Sequence, residues 1–504
     1  MISINKRHLF LLFYLVVSFC YSQDLNKLTK KLIKIQDAFN VPGVSIVVVK
    51  GQDVVYEYNH GLLNLNEKGV ITKNTIFSIA SVTKTFTALA IGMLAEEKKV
   101  SLNDKIIKHL PWFKLNDDYV TNHITIRDVL SHRSGLSSEG LIYLGSGFTR
   151  KETVEKLSDM PVSNRFRDSF TYSNILYNAL GLIIEKASNL SWEEFVQKNV
   201  LNRIEMNNSI TDSKSLSNSK IATPHRFIDY EAGKISPVTE GGFLFPYSNG
   251  PAGAIRSTSN DMAKYLKLLL NNGIYNKDTL VGQRVIKELW KPNTRMSSRF
   301  YSKMTRNGSY NHYGLGWFLG EYDNKRVMFH PGGGGGMTSL ISLIPSENIG
   351  VMVTTNLDDW SVFAFANTIY DSLLNINPKV DWISQIRPYE TKPKELEDWY
   401  NEFKGNQIKN TKPSLDLKKY EGIYSHKTYG NVKVEFKDGK LILKRGEYIS
   451  DLTHWHYDTF KSIMRNKSFG LDTVTFYIGY DGTVEELMLW DEKGFVKNKE
   501  NKHH

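Results

Sequence analysis

Two stretches near the ends of the first 375 residues are rich in β-branched residues and have the form of β-hairpins. The first reads "VPGVSIVVVKGQDVVYEYNHG" and has a glycine-containing turn at Lys50 to Asp53 between its two runs. The second reads "SLISLIPSENIGVMVTTN" and has a proline-containing turn. Each stretch is predicted to form a pair of antiparallel strands.

Between these hairpins, apolar residues recur at helical spacing. The clearest helical segments are Thr83 to Glu97, Asn174 to Ala187 and Asp261 to Asn271. Strands at both ends with helices between them predict an α+β fold, in which an antiparallel sheet is flanked by helices and carries an inserted helical region.

The chain changes character after residue 376. Residues 377–412 are rich in Lys, Glu, Asp and Pro and weak in apolar periodicity, which predicts a linker with room for one short helix. Residues 413–498 return to strand patterns, with Asp438-Gly439 and Asp481-Gly482 as hairpin turns, and predict a small all-β domain. Residues 499–504 are polar and predict a frayed tail.

The first 22 residues have the pattern of a secretory signal peptide. A basic pair precedes an apolar run from Leu9 to Phe19, and small Ser22 marks the expected cleavage site. The apolar run is short for a membrane span, so we expect no integral span after its removal. The predicted product is periplasmic or secreted, and residues 23–376 form its first domain.

Composition narrows the chemistry further. Cys20 is the only cysteine, so the mature chain would lack a cysteine nucleophile, a disulfide or a thiolate metal site. The formal charge is +11, but the basic residues are interleaved with acids, which is typical of a solvated surface. We therefore predict no nucleic-acid partner, and the sequence indicates no particular oligomeric state.

The stretch "FSIASVTKTFTALAIGMLAEE" contains the first candidate for catalysis. Its helix is apolar on nearly every face and is therefore predicted to be buried, with Ser81 at or just before its N-terminus. Lys84 lies one turn later on the same face, where a desolvated lysine can act as the base that a serine hydroxyl needs. The alternative is a capping serine beside an exposed lysine; Ser217 and Lys220 have the same spacing in a polar loop.

A second candidate is Tyr172-Ser173-Asn174, at the start of an amphipathic helix. A phenol beside a lysine can relay its proton, and an amide can hold a substrate carbonyl. Tyr-x-Asn also occurs at Tyr247, Tyr322 and Tyr429, and by itself such a triplet is more often a turn with a helix cap.

Taken in order, six segments resemble the successive landmarks of the serine β-lactamase-related family, which holds class C β-lactamases, D-alanyl-D-alanine carboxypeptidases, D-amino-acid peptidases and related esterases. They are "SIASVTKTFTALAIGMLAEEKKVSLNDKI", "ITIRDVLSHRSGL", "FTYSNILYNALGLIIEKAS", "PAGAIRSTSNDMAKYLKLLLNNG", "YGLGW" and "HPGGGGGMTSLISLIPSENIGVMVTTN". The resemblance covers residues 25 to 375. The C-terminal "LTHWHYDTF" looks like part of the small, lipocalin-like β-barrel domain often appended to this family.

The resemblance implies a role for each matching residue. Ser81 is implied to be the acylated nucleophile and Lys84 its partner in proton transfer. Tyr172 matches the tyrosine that deprotonates the serine and protonates the leaving group, and Asn174 matches the residue that orients the lysine and the substrate amide. Tyr247 lies where the family does not place its base.

The third family motif matches His330-Pro331-Gly332. The resemblance implies that these residues lie on a strand beside the cleft, and that the amides of Gly333 and Ser81 form an oxyanion hole. Side chains at the glycines would obstruct the acyl group. The further glycines, Gly334 to Gly336, predict a bulge or a mobile turn at the cleft edge, and Pro331 predicts an unpaired strand edge or a position against the cleft.

His330 departs from the lysine that class C β-lactamases have at this position, and histidine is mostly neutral near pH 7. Efficient β-lactam hydrolysis is therefore less expected than peptidase, amidase or esterase action. Arg165 and Arg167 are candidates for a substitute cation, although two exposed arginines are the more frequent case. The remaining histidines are interpreted as structural: His132 as a support of the cleft, and His454 and His456 as part of the β domain.

The predicted function is that of an exported serine hydrolase cleaving an amide or ester bond of a small molecule or short peptide, such as one derived from the cell wall. No spacing typical of metal ligands occurs, so we predict neither a metal nor another cofactor. Two alternatives stay open: a β-lactamase, and a penicillin-binding sensor that deacylates slowly.

Overall fold

The computed structural model describes residues 25–136, 142, 146–162, 165–211, 221–229, 234–238, 249–296, 304–306, 310–377, 379–389, 393–446, 448–465, 471–489 and 492–498. Within these ranges the chain forms a large α+β unit followed by a closed β-barrel, as predicted. The predicted signal peptide and the tail at residues 499–504 lie outside the described residues.

The α+β unit is built on one antiparallel sheet of eight strands. From edge to edge these are Asp53–Gly61, Gly43–Lys50, Ile349–Thr355, Met337–Ile344, Lys325–Gly334, Phe318–Tyr322, His312–Tyr313 and Thr294–Arg295. The two predicted hairpins thus meet in the sheet, because Gly43–Lys50 pairs with Ile349–Thr355. Three two-stranded ladders accompany it: Phe77–Ser78 with Arg256–Ser257, His225–Asp229 with Lys234–Pro237, and Ile274–Tyr275 with Asp278–Thr279.

Both faces of this sheet are buried. In the strand Gly43–Lys50, Val47 and Val49 belong to one hydrophobic cluster, whereas Ile46 and Val48 belong to another. Because successive side chains of a strand point to opposite faces, helices must cover the sheet on both sides. This double burial explains why the strand reads as a continuous apolar run rather than as an alternation.

The predicted long helices are confirmed with bounds that shift by one or two residues: Thr83–Glu96, Ile175–Ser188 and Ser259–Leu270. A helix over residues 25–39 precedes the first strand. The other α-helices of the unit are Ile106–His109, Asp118–His123, Ile126–Leu130, Arg150–Glu155, Trp192–Val196, Gly250–Gly253, Gln283–Leu289 and Ser361–Leu373. Single 3-10 turns occur at Ala80–Val82, Lys156–Asp159, Asn202–Ile204, Pro345–Glu347 and Leu417–Tyr420, and Gln197–Leu201 is a π-helical turn.

Residues 377–412 contain more structure than the predicted linker. They form the helices Trp382–Ile386 and Pro393–Gly405, with a 3-10 turn at Arg387–Tyr389. The indole of Trp382 is buried and donates a hydrogen bond to Asp371 Oδ2 at 2.8 Å. The segment therefore contains two helices where one short helix was predicted, and the five-residue helix Trp382–Ile386 is too short to show apolar periodicity.

The C-terminal barrel is closed by eight antiparallel strands: Gly422–His426, Gly430–Lys437, Lys440–Arg445, Tyr448–His456, Thr459–Met464, Asp472–Ile478, Val484–Leu489 and Glu492–Lys497. Asp438 and Gly439 both have positive φ, at 50° and 75°, and form the predicted two-residue turn. Lys427 of the barrel contacts the α+β unit through Asp159 Oδ1 at 2.5 Å. In the part of the chain described, no helix has the length and apolarity needed to cross a bilayer.

Candidate functional site

Ser81 lies in the one-turn 3-10 helix Ala80–Val82, which continues directly into the helix Thr83–Glu96. Every side chain from Thr83 to Leu94 is buried, as predicted for this helix. Ala80 has a φ of +43°, which is an unfavourable region for alanine, so the backbone is strained immediately before the serine. Ser81 is half-buried and borders a cavity of about 660 Å³.

Lys84 is fully buried, and its ammonium group is held by three hydrogen bonds. Nζ donates to Ser81 Oγ at 3.1 Å, to Asn174 Oδ1 at 2.8 Å and to the carbonyl oxygen of Ala252 at 2.8 Å. Since a buried ammonium is stable only when it is well hydrogen-bonded, these acceptors explain how the fold tolerates the lysine. The alternative of an exposed lysine beside a capping serine is therefore wrong.

Tyr172 completes the group on the loop that precedes the helix Ile175–Ser188. Its ring lines the cavity, and Lys84 Nζ lies 4.8 Å from the ring centroid. The structure thus brings together four predicted residues that are up to 93 positions apart in the sequence: Ser81, Lys84, Tyr172 and Asn174.

The two competing motifs that the structure describes, at Tyr322 and Tyr429, do not join this group. Tyr322 donates a hydrogen bond to Asp371 Oδ1 at 2.8 Å in a buried network, and Tyr429 lies in the turn before a barrel strand. Ser217, Lys220 and Tyr247 lie outside the described residues.

The strand Lys325–Gly334, which we call the glycine strand, borders Ser81. A Cβ atom on Gly332 would lie 2.5 Å from Ser339 Oγ and 2.9 Å from the backbone nitrogen of Ser81, and closer still to the carbonyl oxygen of Ile79. Glycine is therefore required at 332 by the close approach of the Ser81 backbone. At Gly333 a Cβ would meet only Thr338 Oγ1, at 4.0 Å, so the surrounding protein atoms would accommodate a side-chain methyl group at this position.

The end of the glycine run is a tight hairpin turn. Gly334 pairs with Met337, and the two residues between them, Gly335 and Gly336, have φ angles of 66° and 95°. Two consecutive positive φ angles define a type I′ turn, which favours glycine. The register is continuous, so of the two predicted alternatives, a bulge or a mobile turn, the structure has a turn and no bulge. A Cβ on Gly336 would also lie 2.8 Å from the backbone nitrogen of His225, which gives the fifth glycine its reason.

On one side the glycine strand pairs with the strand Phe318–Tyr322, and this pairing ends at Phe329. Pro331 lies two residues further on and therefore has no neighbouring strand on that side among the described residues. It lines the cavity. The expectation that Pro331 occupies an unpaired strand edge against the cleft is confirmed.

His330 is one of the residues that line the cavity, but only 1% of its surface is exposed. Its Nδ1 lies 2.6 Å from the carbonyl oxygen of Pro331, so Nδ1 carries the proton and donates. Nε2 then accepts a hydrogen bond from the hydroxyl group of Tyr313, at 2.9 Å. Burial, and next the charge of Lys84, lower the pKa of His330 to about 3. His330 is therefore neutral at physiological pH, and both ring nitrogens are already occupied.

Neither candidate for a substitute cation lines the cavity. Arg165 is 89% exposed and faces Asp168, and Arg167 donates to both carboxylate oxygens of Asp128. Among the described residues that line the cavity, the one arginine or lysine is Arg226, whose Nε lies 3.4 Å from Asp358 Oδ2. Burial raises the pKa of Asp358, and the charge of Arg226 partly offsets this effect.

The sequence interpretation missed most of the cavity wall. Aromatic rings form much of it: Phe170, Tyr172, Phe227, Phe318, Trp360 and Tyr389. Tyr389 comes from the segment predicted to be a linker. Trp360 and the two preceding aspartates lie in the segment that follows the strand Ile349–Thr355, with two residues between the strand and the first aspartate. Their position just beyond a strand end is the feature of the sequence that could have identified them as cavity residues.

No group of three or more His, Cys, Asp or Glu side chains in the described ranges is arranged to hold a metal ion. His454 and His456 lie on a barrel strand, and His454 Nε2 contacts the carbonyl oxygen of Tyr457 at 2.9 Å.

The neutral state of His330 predicts how stability depends on pH. Unfolded histidine binds a proton below about pH 6.5, whereas buried His330 stays neutral down to about pH 3. The free energy of unfolding should therefore fall as the pH decreases below 6.5, by about 1.4 kcal/mol per pH unit for this residue. Urea unfolding at pH 7.5 and 4.5 should show a smaller loss for His330→Gln than for the natural protein; equal losses would contradict the assignment.

Comparison with known proteins agrees with this arrangement. A family model described as "Beta-lactamase" matches residues 28–375. The chain belongs to the β-lactamase family. Residues 406–499, which include the barrel, match a domain of unknown function, DUF3471.

The chain is similar to Protein flp of Staphylococcus aureus (strain NCTC 8325 / PS 47), with 28% identity over 326 residues. That alignment covers 63% of this chain and only 60% of the relative's length. The unguisins hydrolase ungD' of Aspergillus campestris is 25% identical over 95% of this chain and 92% of its own. The octameric penicillin-binding protein homologue from Pyrococcus abyssi has a similar structure, with a TM-score of 0.61 and 26% identity over 92% of this chain and 98% of that chain.

Proposed function

We propose that this β-lactamase-family protein is an exported hydrolase that cleaves an amide or ester bond through an acyl-enzyme on Ser81, as D-peptidases, carboxypeptidases and esterases do. The observation that carries the proposal is the buried ammonium of Lys84, 3.1 Å from Ser81 Oγ and held in place by Asn174 and Ala252. A hydroxyl fixed beside such a group, in a cavity that admits a small molecule, is suited to nucleophilic catalysis.

The proposed reaction has two stages. Ser81 Oγ attacks the substrate carbonyl and gives its proton to Tyr172, which acts as a phenolate stabilised by the ammonium of Lys84, and the backbone amides of Ser81 and Gly333 stabilise the oxyanion. Tyr172 then protonates the leaving amine or alcohol as the bond to it breaks. Water, deprotonated by the same pair, attacks the acyl-enzyme and restores Ser81.

The environment of His330 supports substrates without a carboxylate beside the scissile bond. His330 is neutral, and its only ring N–H already donates to Pro331, so this position offers no cation to an anionic group. The aromatic walls favour an apolar acyl or leaving group, with the Arg226–Asp358 pair as the charged part of the cavity. Among the proposed substrates, an ester or a peptide whose scissile bond has no neighbouring carboxylate is therefore favoured over a β-lactam or a carboxypeptidase substrate.

The proposal is tested by incubating residues 23–504 with D-alanine p-nitroanilide, p-nitrophenyl acetate or benzylpenicillin, with Ser81→Ala as the control. We expect Ser81-dependent release of nitroaniline or nitrophenol over many turnovers. We expect benzylpenicillin either to remain intact or to add its mass to the protein without being turned over.

The other outcomes separate the alternatives. Rapid hydrolysis of benzylpenicillin would favour a β-lactamase, and a lasting Ser81 adduct with no turnover of any substrate would favour a sensor. Equal product release by Ser81→Ala would overturn the role of Ser81. Export is tested separately, by determining whether the mature chain begins at Gln23 when the full sequence is expressed with a secretion pathway.

A further inference from the structure

His132 holds the backbone on both sides of Tyr172. It follows the helix Ile126–Leu130 and is 1% exposed. Its carbonyl oxygen accepts the N–H of Thr171 at 2.7 Å, and its ring nitrogen Nδ1 accepts the N–H of Ser173 at 3.2 Å. The residue between these two donors is Tyr172, so one histidine fixes the peptide on each side of it.

The hydrogen bond from Ser173 also fixes the state of the imidazole. Because Nδ1 accepts the hydrogen bond from the Ser173 N–H, it carries no hydrogen, so the neutral ring has its hydrogen on Nε2. Burial, followed by the charge of Lys84, lowers the pKa of His132 well below its usual value, which agrees with this tautomer.

The other ring nitrogen, Nε2, does not contribute a hydrogen bond to the described part of the fold. Nε2 is buried and has no hydrogen-bond partner among the described residues. It is enclosed by aromatic rings, whose centroids lie 4.3 Å (Tyr172), 5.0 Å (Tyr313) and 5.1 Å (Tyr177) from that of His132. A buried polar group without a partner destabilises the folded state, and an apolar side chain would fill the same space without that loss. Packing alone therefore does not explain why a histidine stands here.

We propose that His132 is a positioning residue for the proposed hydrolysis, which sets the phenol of Tyr172 against Lys84 and Ser81. It acts through the two backbone bonds and through the ring contact of 4.3 Å, and it does not line the substrate cavity. Its function rests on the proposed role of Tyr172, because a clamp on that loop matters for the rate only if the phenol takes part in the reaction.

The first test compares His132→Leu with His132→Asn. Leucine fills the site but cannot accept from Ser173, whereas the side-chain oxygen of asparagine can replace Nδ1. Asparagine also tolerates the positive φ of 52° at this position. We expect Leu to lower kcat for p-nitrophenyl acetate by about 30-fold, within the range for a misplaced catalytic group, with KM changed by less than about threefold. Asn should recover kcat to within about fivefold of the natural protein.

The second test is a double-mutant cycle with Tyr172→Phe. The nitrophenolate leaving group needs no proton, so residual activity of the phenylalanine variant is measurable. If His132 acts through the phenol, His132→Leu should lower kcat by less than about threefold in the Tyr172→Phe background. The same factor in both backgrounds would show a general structural role and overturn the inference, as would an unchanged kcat in His132→Leu itself.

The cycle also distinguishes the two proposals. A Tyr172→Phe variant with full activity would refute the proposed proton relay. A slow Tyr172→Phe together with an unimpaired His132→Leu would refute only the role of His132. Thermal unfolding of each variant identifies any that fails to fold, and His132→Asn then still decides the question.

Discussion

Replacing Lys84 with methionine should lower kcat/KM for every Ser81-dependent substrate by roughly 10²- to 10⁴-fold, the range lost when a positioned proton-transfer group is removed. Methionine has nearly the length of lysine but cannot donate to Ser81 Oγ or exchange a proton with it. Tyr172 would then face the serine without the cation that lies 4.8 Å from its ring. Two measurements would show whether acylation is the step that fails: the rate of nitrophenol release from the p-nitrophenyl ester, and the mass of the intact protein after a brief incubation with it.

The effect of this substitution on folding should be small in comparison. An apolar side chain of similar size often replaces a buried charge without loss of stability, although the oxygens of Asn174 and Ala252 lose a donor. Lys99→Met is the matched control, because Lys99 is about half exposed and forms its ion pair with Glu97 far from the serine. An active and stable Lys84→Met enzyme would mean that another group takes the proton from Ser81.

Replacing Gly332 with alanine should impair both the fold and the reaction. The new Cβ would meet Ser339 Oγ at 2.5 Å and the Ser81 nitrogen at 2.9 Å, so the segment Ile79–Ser81 must move. Moving the Ser81 amide removes one proposed oxyanion donor from its place, which lowers kcat by about 10²- to 10³-fold. Overpacking of this kind also lowers the free energy of unfolding by about 1–3 kcal/mol. Both quantities are measured on the same preparation, by ester turnover and by urea unfolding.

The neighbouring glycine provides the control for this experiment. A Cβ on Gly333 meets only Thr338 Oγ1, at 4.0 Å, so Gly333→Ala should unfold within about 0.5 kcal/mol of the natural protein. Any loss of activity in Gly333→Ala would then report a clash between the methyl group and the bound substrate, which is the reason predicted for a glycine at this position. Equal stability of the two alanine variants would show that the backbone around Ser81 adapts, and would contradict the steric argument at Gly332.

The long elements were predictable because their signals are local. The helix Thr83–Glu96 is buried along its length and therefore apolar along its length, and the turns at Lys50 to Asp53 and Asp438-Gly439 contain the residues that positive φ angles need. Ser81 and Lys84 are three positions apart on one helix, so their neighbourhood follows from helix geometry alone.

Other parts could not be predicted because they depend on contacts between distant segments. Arg226 and Asp358 are 132 positions apart and meet where the backbone nitrogen of Asp358 donates to the carbonyl oxygen of His225. The state of His330 depends on Tyr313, which a neighbouring pair of strands brings to its ring. The wall residue Tyr389 belongs to a segment whose polar composition resembles a linker.

The sequence by itself determined the α+β class, the positions of the long helices, the strand-rich C-terminal region and the order of the motifs that carry Ser81, Lys84, Tyr172 and Asn174. Periodicity, turn residues and spacing along one helix are properties of short segments, so they can be read before the chain folds. Only the tertiary structure decided that the ammonium of Lys84 is buried against Ser81, that His330 is neutral with both nitrogens occupied, and that His132 holds the loop of Tyr172. Burial and hydrogen bonding between distant segments set these states, and neither exists until the sheet and its helices have packed.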